Sequence, residues 1–383
     1  MTVLTPTTAD ELADALRSLD SRGQPIPLEG AGSKRMMGGA ALEAEVRIAT
    51  TGLNHVLEYD PRELTVSVEA GLPWRKFTAL LAEYKQMVPL DPPFADLATV
   101  GGVVAANTSG PRRRLYGTAR DQVIGMKFAT LDGRVVESGG MVVKNVAGLD
   151  MQKLLIGSFG TLAAIASVNF RVAPIPEATA TYILEAPSAQ GAMVLRDHIL
   201  GGVLQPAAID LLNPQAAARA RVGGSAFLLA VRAGGTERVL ARYRSELAPS
   251  SVLEGDGERS YWRAVEEFVP QWMYDHRDGA AVRISHVMPQ LAALLESTEA
   301  PCVARAGNGV AWICFDDAPQ LKAWIEATNG RGWQRVVEYS SPIVKETVDL
   351  WPDPAEDLAM MRQVKQLFDP RNLLNRGRLY GRI

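Results

Sequence analysis

The sequence predicts an α+β fold in two domains, the first glycine-rich and the second built on an antiparallel sheet. Three observations carry that expectation. Helical and strand periodicities are interleaved over residues 1–176. The same stretch holds three runs of small residues, at 27–34, 99–110 and 157–165. Beyond about residue 177 such runs stop, and strand-like segments at 226–231, 282–284 and Val310–Phe315 alternate with helical ones such as Ala318–Ala327.

Thr8 and Glu11 have capping-box spacing, and Leu12, Leu16 and Leu19 fall on one helical face, which predicts a helix over 9–22. A short strand at 25–28 feeds the first small-residue loop and 46–48 reads as the next strand, giving a small lobe over about residues 1–50. In a larger lobe, about 51–176, Leu64, Val66 and Val68 alternate with Thr65, Ser67 and Glu69, the pattern of a half-buried strand. Pro73 takes the favoured first position of a helix whose apolar stripe is Trp74, Phe77, Leu80, Leu81 and Tyr84. Strands at 126–131 and 134–137 flank Asp132 and Gly133, a strong hairpin signal. A short helix over 151–156 precedes one long strand in which Leu162, Ala164, Ala166, Val168, Phe170 and Val172 alternate. The second domain spans 177–365, and a turn-rich tail, 366–383, returns to the first.

The chain has 383 residues, 47% of them hydrophobic, which suffices for substantial cores. A net charge of −3 creates no field to attract nucleic acid or an anionic membrane surface. Two cysteines, Cys302 and Cys314, are too few for a zinc ribbon or a cysteine-ligated iron–sulfur cluster and read as buried thiols. The N-terminal residues lack a basic-then-apolar export signal, and no run approaches the roughly 18 apolar residues of a membrane span. The expected location is the cytoplasm, with at most a peripheral association with the inner membrane through a complex.

Glycine lets main chain approach a ligand closely, and converging backbone amides form an anion site suited to a pyrophosphate, with Lys34 placed to offset its charge. Two familiar nucleotide motifs are excluded. The chain has no Gly-Lys pair and hence no Walker A loop, and Gly30-Ala31-Gly32 lacks the third glycine of a dinucleotide-binding Rossmann turn. Singly, each loop residue also has a plain reading: Thr161 or Ser109 capping a turn, Tyr116 a core aromatic.

In combination the motifs are specific. Residues 27–33, Asp91-Pro92-Pro93, Thr99 to Gly102 with Asn107 to Gly110, Tyr116-Gly117, Gly148 to Asp150, Gly157 to Leu162, and the closing Phe368-Asp369-Pro370 to Gly377 resemble the ordered signatures of the vanillyl-alcohol-oxidase/p-cresol-methylhydroxylase (PCMH) flavoprotein family. The resemblance implies a two-lobed PCMH-type FAD-binding domain followed by an α+β cap domain. It implies that Gly30, Ala31, Gly32 and Ser33 hold the pyrophosphate, and that Pro93, Thr99, Ala106, Asn107 and Ser109 line the flavin. Gly160, Thr161, Leu162 and Ile165 would meet the adenine half, and Asn375 would sit near the isoalloxazine. Pro27, Glu29, Lys34, Val100, Gly101, Gly102, Gly110, Tyr116, Asp150 and Gly157 complete the implied FAD-binding set. Some relatives tether FAD through a histidine in the first loop; Ser33 stands there, which implies non-covalent FAD.

Within the family the likeness is to the FAD-binding subunits of bacterial glycolate oxidases. It implies a hetero-oligomer in which a larger FAD subunit and an iron–sulfur subunit complete the oxidation of glycolate. Related 2-hydroxy-acid dehydrogenases carry His-Ala-Gly-Asp-Gly-Asn-Leu-His, whose histidines bind a divalent metal, and a later Glu-His-Gly. The corresponding segments read Arg305 to Trp312 and Glu338-Tyr339-Ser340, so no metal site is expected. The remaining catalytic candidates are Tyr339, Arg283 and Arg305, the arginines as carboxylate clamps. The run Arg112-Arg113-Arg114 reads as a docking patch or a solvated loop. Two alternatives stay open: a free-standing FAD-dependent oxidoreductase of hydroxy acids or alcohols, and a structural subunit without flavin.

Overall fold

Thr8 is extended and its hydroxyl accepts the Glu11 amide, so the first helix begins where the spacing predicts and runs Ala9–Ser21. The Glu11 carboxylate reaches one residue further back than a simple capping box, accepting the amide and hydroxyl of Thr7 at 2.8 and 2.9 Å. Leu12, Leu16 and Leu19 are buried in a cluster with Ile26, Ile48, Ala164 and Ala166. The structure, a computed structural model, describes residues 2–141, 149–220, 226–351 and 356–383; Gly148 of the Gly148–Asp150 motif lies outside them.

The small lobe carries a parallel sheet in the order Thr2–Leu4, Val46–Ala49, Leu28–Glu29. The strand expected at 25–28 shifts to Leu28–Glu29, because Pro25 and Pro27 have no amide to donate. Ile26 instead bridges to Leu374 in the tail.

The larger lobe is an antiparallel sheet in the order Val56–Asp60, Thr65–Glu69, Ala164–Arg171, Val123–Ala129, Val135–Gly139. Thr65 and Ser67, expected at the surface, are buried. Their strand is paired on both edges, and the Ser67 hydroxyl donates to Asn169 Oδ1 at 2.7 Å. Leu64 lies in the preceding turn at φ +54° and is exposed. The alternation read from Leu162 to Val172 is broken by a bulge, where Lys127 pairs with Ser167 but Phe128 with Ile165. Ala164 and Ala166 therefore face the small-lobe cluster, while Ile165, Val168 and Phe170 join the larger core. Pro73 is the N-cap of Trp74–Glu83 rather than its first residue, and Tyr84 lies past the helix end, 52% exposed with its ring edge-on to Tyr59.

By internal packing the chain divides into a first unit, Met1–Ser109, Gly117–Ile175 and Asp353–Ile383, and a second, Gly110–Tyr116 and Pro176–Pro352. The second unit is an eight-stranded antiparallel sheet in the order Ser251–Glu254, Ala178–Ala186, Phe227–Gly235, Ala208–Leu212, Cys302–Arg305, Val310–Phe315, Ala280–Ser285, Gln334–Ser340. Helices including Ala189–Gly201, Glu237–Leu247 and Ala318–Ala327 pack on it.

Two boundaries differ from the sequence reading. Gly110–Tyr116 belongs to the second unit, where Arg114 Nη1 donates to the Pro206 carbonyl at 3.1 Å and burial lowers the guanidinium's pKa. Arg114 is thus not part of a solvated patch. The returning segment begins near residue 353 rather than 366, because helix Asp357–Phe368 packs Val364 and Phe368 on the first unit's core. Its Lys365 ammonium is buried and donates to Asp369 (2.6 Å), the Thr161 carbonyl (2.7 Å) and the Leu374 carbonyl (3.0 Å). Burial is the main influence on Lys365 and lowers its pKa, against the pull of Asp369. Asp369 also accepts the amides of Leu373 and Leu374.

Removing one partner of a buried pair strands the other, so Lys365→Met should destabilise the protein by about 3 kcal/mol in urea unfolding. An unchanged midpoint contradicts this account of the tail. Burial pushes the Cys302 thiol up to about 12 and raises that of Cys314 as well. The unfolded chain therefore loses these protons first, and the thiols make stability fall as pH rises above about 8.5. Iodoacetamide at that pH should modify neither cysteine in the native protein and both in denaturant, as read by intact mass.

Candidate functional site

The three small-residue loops meet within the first unit around a cavity of about 650 Å³. Pro27, Glu29, Gly30, Ala31, Gly32, Ser33 and Lys34 line it from the first loop, and Thr99, Gly101, Gly102 and Ala106 from the second. Gly160 and Ile165 of the third loop and Asn375 of the tail complete the predicted residues in its wall.

Close approach of the loops to one another explains several of the glycines. Thr99 caps the short helix Val100–Ala105, its hydroxyl accepting the Gly102 amide at 3.3 Å. A Cβ on Gly30 would run into that hydroxyl, and one on Gly101 would lie 2.7 Å from the Ala70 Cβ. The sequence reading assigned this lack of side chains to approach of a ligand alone; part of it lets one loop close on the next. The Gly157 amide donates to Val104 O (3.2 Å) and the Phe159 amide to Ala105 O (2.9 Å), joining the second and third loops.

Asn375 ties the tail to the other walls. It sits at φ +42°, a left-handed conformation asparagine tolerates. Its Oδ1 accepts the Leu28 amide at 2.8 Å, and its Nδ2 donates to the carbonyls of Leu28 (2.9 Å) and Phe159 (2.8 Å). Both amide hydrogens are thereby committed to protein. A Cβ on Gly160 would fall 2.8 Å from this Nδ2.

Charge in the wall is unbalanced toward positive. Lys34, Arg35, Arg47 and Arg378 outnumber Glu29 and Glu43 by two, which matches the two negative charges of a diphosphate. Glu29 bridges Arg35 (2.8 Å) and Arg47 (3.1 Å), and its hydrogen bond raises the Arg35 pKa. Arg378 donates to the carbonyls of Lys34, Arg35 and Gly39, and burial pulls its pKa down to about 10. The sequence reading missed Arg35, Arg47 and Arg378. Arg35 follows the glycine loop directly and was open to inference; Arg47 on a strand and Arg378 in the tail gave no local signal.

The other predicted residues are placed differently. Val100 and Leu162 are buried in the hydrophobic core, and Thr161 caps a turn by donating to Ser158 O at 2.7 Å. Pro93, Asn107, Ser109 and Gly157 are outside the cavity wall. Asp150 is exposed, precedes the helix Met151–Leu155 and accepts the Gln152 side-chain amide. Gly110 and Tyr116 pack with the second unit.

The catalytic candidates lie in the second unit's sheet. Arg305 forms a buried ion pair with Asp210 and lies 5.1 Å over the Trp312 ring. Arg283 Nε donates to Glu338 Oε1 (3.0 Å), while Trp312 Nε1 donates to Glu338 Oε2 (2.6 Å). Tyr339 is buried. Among the described residues no cluster of His, Cys, Asp and Glu could hold a metal ion.

The glycine account can be tested by relief. Gly30→Ala should lower both the melting temperature and the bound-cofactor content, Thr99→Ala should cost about 1 kcal/mol through the lost cap, and the double variant should recover part of the Gly30→Ala loss. Strict additivity in urea unfolding would contradict the contact.

Residues 2–139 match the family described as FAD binding domain, and 353–379 the one described as FAD linked oxidases, C-terminal domain. Glycolate oxidase subunit GlcE of Escherichia coli is 35% identical over 160 residues, which is 40% of this chain and 44% of that protein; the match spans less than half of GlcE. D-lactate dehydrogenase of Archaeoglobus fulgidus is 23% identical over 100% of this chain and 91% of its own. The solved structure of 4-ethylphenol oxidase from Gulosibacter chungangensis superposes with a TM-score of 0.76 at 14% identity, covering 99% of this chain and 88% of that one, and shows the same fold. These matches remove the alternative of a subunit without flavin. The chain carries the FAD-binding domain and C-terminal segment of the FAD-linked oxidases on a PCMH-type fold, and FAD is its cofactor.

Proposed function

We propose that this chain is a GlcE-type FAD-binding subunit of a hetero-oligomeric glycolate oxidase, working with a larger FAD subunit and an iron–sulfur subunit to convert glycolate to glyoxylate. The observation that carries the reading is the state of the second unit. Arg305 is neutralised by Asp210 and Arg283 by Glu338, so the groups best suited to clamp a hydroxy acid are already paired within the protein. The 35% identity to GlcE over 160 residues supports it. Two cysteines are too few to ligate an iron–sulfur cluster, which in this reading leaves that chemistry to a partner.

Bound FAD supplies a two-electron acceptor. The chain's own part is to hold it: the first loop with Lys34 takes the diphosphate, and the loop around Gly101 and Gly102 lines the flavin. Ser33 has no nucleophilic imidazole, so FAD is held without a covalent bond.

A second reading, a free-standing D-2-hydroxy-acid dehydrogenase, is favoured by the alignment with D-lactate dehydrogenase along the whole chain. In it Arg283, Arg305 or Tyr339 would have to serve the substrate. Acid precipitation of the purified yellow protein should leave all flavin in the supernatant; colour in the pellet contradicts non-covalent binding. Mixed anaerobically with glycolate or D-lactate, the isolated chain should keep its visible flavin band, and the band should bleach with glycolate only when the partner subunits are present. Prompt bleaching of the isolated chain establishes the second reading instead.

A further inference from the structure

We propose that Arg378 is a positioning residue for the FAD diphosphate: from the C-terminal tail its guanidinium fixes the main chain that follows Gly32, and without that grip the cofactor is held weakly. The proposal rests on the reading that the first loop takes the diphosphate.

The contacts are concentrated on one segment. Nη1 donates to the carbonyls of Arg35 (3.1 Å) and Gly39 (2.5 Å), and Nη2 to that of Lys34 (3.0 Å). A guanidinium presents its donors in a rigid planar fork, so it holds these carbonyls at a fixed spacing that a freely rotating ammonium does not impose. The grip is mutual, since the Gly39 amide donates to the Arg378 carbonyl at 2.8 Å. The two segments lie so close that a Cβ on Gly39 would collide with the Gly377 carbonyl, and one on Gly38 would lie 2.6 Å from the Arg378 carbonyl. The guanidinium also sits 5.9 Å over the ring of Phe159, on the third loop, and Arg378 is among the residues lining the cavity.

The chemistry of these partners points to the cofactor. Carbonyl oxygens are neutral acceptors, and a guanidinium desolvated for their sake is an expensive way merely to close a turn. Each carbonyl held by Arg378 is kept from swinging toward a diphosphate, which it would repel. The positive charge beside them remains available to attract one.

The test uses full-length apoprotein and two probes, FAD and ADP, the latter carrying the diphosphate without the flavin. Arg378→Met should raise the dissociation constants of both about tenfold or more, and in the same proportion. Arg378→Lys, which keeps the charge but not the fork, should fall between Met and wild type, and it carries the test if the Met variant fails to fold. A brace with no part in cofactor binding would lower the apoprotein melting temperature and leave both constants unchanged, and that result overturns the proposal. Loss of FAD affinity with ADP affinity intact also overturns it. Failure of wild-type protein to bind ADP would instead count against the diphosphate reading of the first loop.

Discussion

The first unit's cavity depends on an asparagine amide buried where three stretches of chain meet. Asn375 joins the main chain of Leu28, in the first loop, to Phe159, near the start of the third, and its own amide donates to Ile26 O. A buried amide group left without partners is costly, so these bonds favour one arrangement of the walls over any looser one. Lys365 and Asp369 fix the same tail from the other end, through the Thr161 carbonyl and the amides of Leu373 and Leu374. The tail is therefore a structural element of the site, although in sequence it stands apart from the rest.

Glycine has two functions in this architecture. At Gly30 and Gly101 a missing Cβ lets protein meet protein, against Thr99 and Ala70. At Gly32, φ +71° turns the chain where a side chain would be strained. A glycine-rich loop read only as a ligand cradle conflates these, and the difference decides which substitutions are repairable by a second change.

Much of the fold was legible in the sequence, because it rests on local signals. The Thr8 cap, the Asp132-Gly133 hairpin and helix Ala318–Ala327 are determined by neighbouring residues. What escaped was non-local. Burial of Thr65 and Ser67 needs a strand on either side, and the phase change at Ala166 needs a bulge opposite Lys127. At the site the glycine loops were visible as motifs. The charges that complete the cavity were less so: Arg378 lies about 340 residues from the carbonyls it holds, and nothing in its neighbours announces the contact. Arg305 and Arg283 looked like available clamps because sequence shows a charge but not its counter-charge; Asp210 and Glu338 supply those from other strands.

The order of assembly follows from where the clasp lies in the chain. The second unit, Pro176–Pro352, is synthesised between the loops of the first unit and the helix that anchors them. While the ribosome is still making that insertion, the nascent nucleotide-binding lobes lack Lys365, Asp369, Asn375 and Arg378. Closing so long a loop is entropically slow. The cavity wall is therefore complete only once these last residues have been made, since Asn375 and Arg378 are part of it.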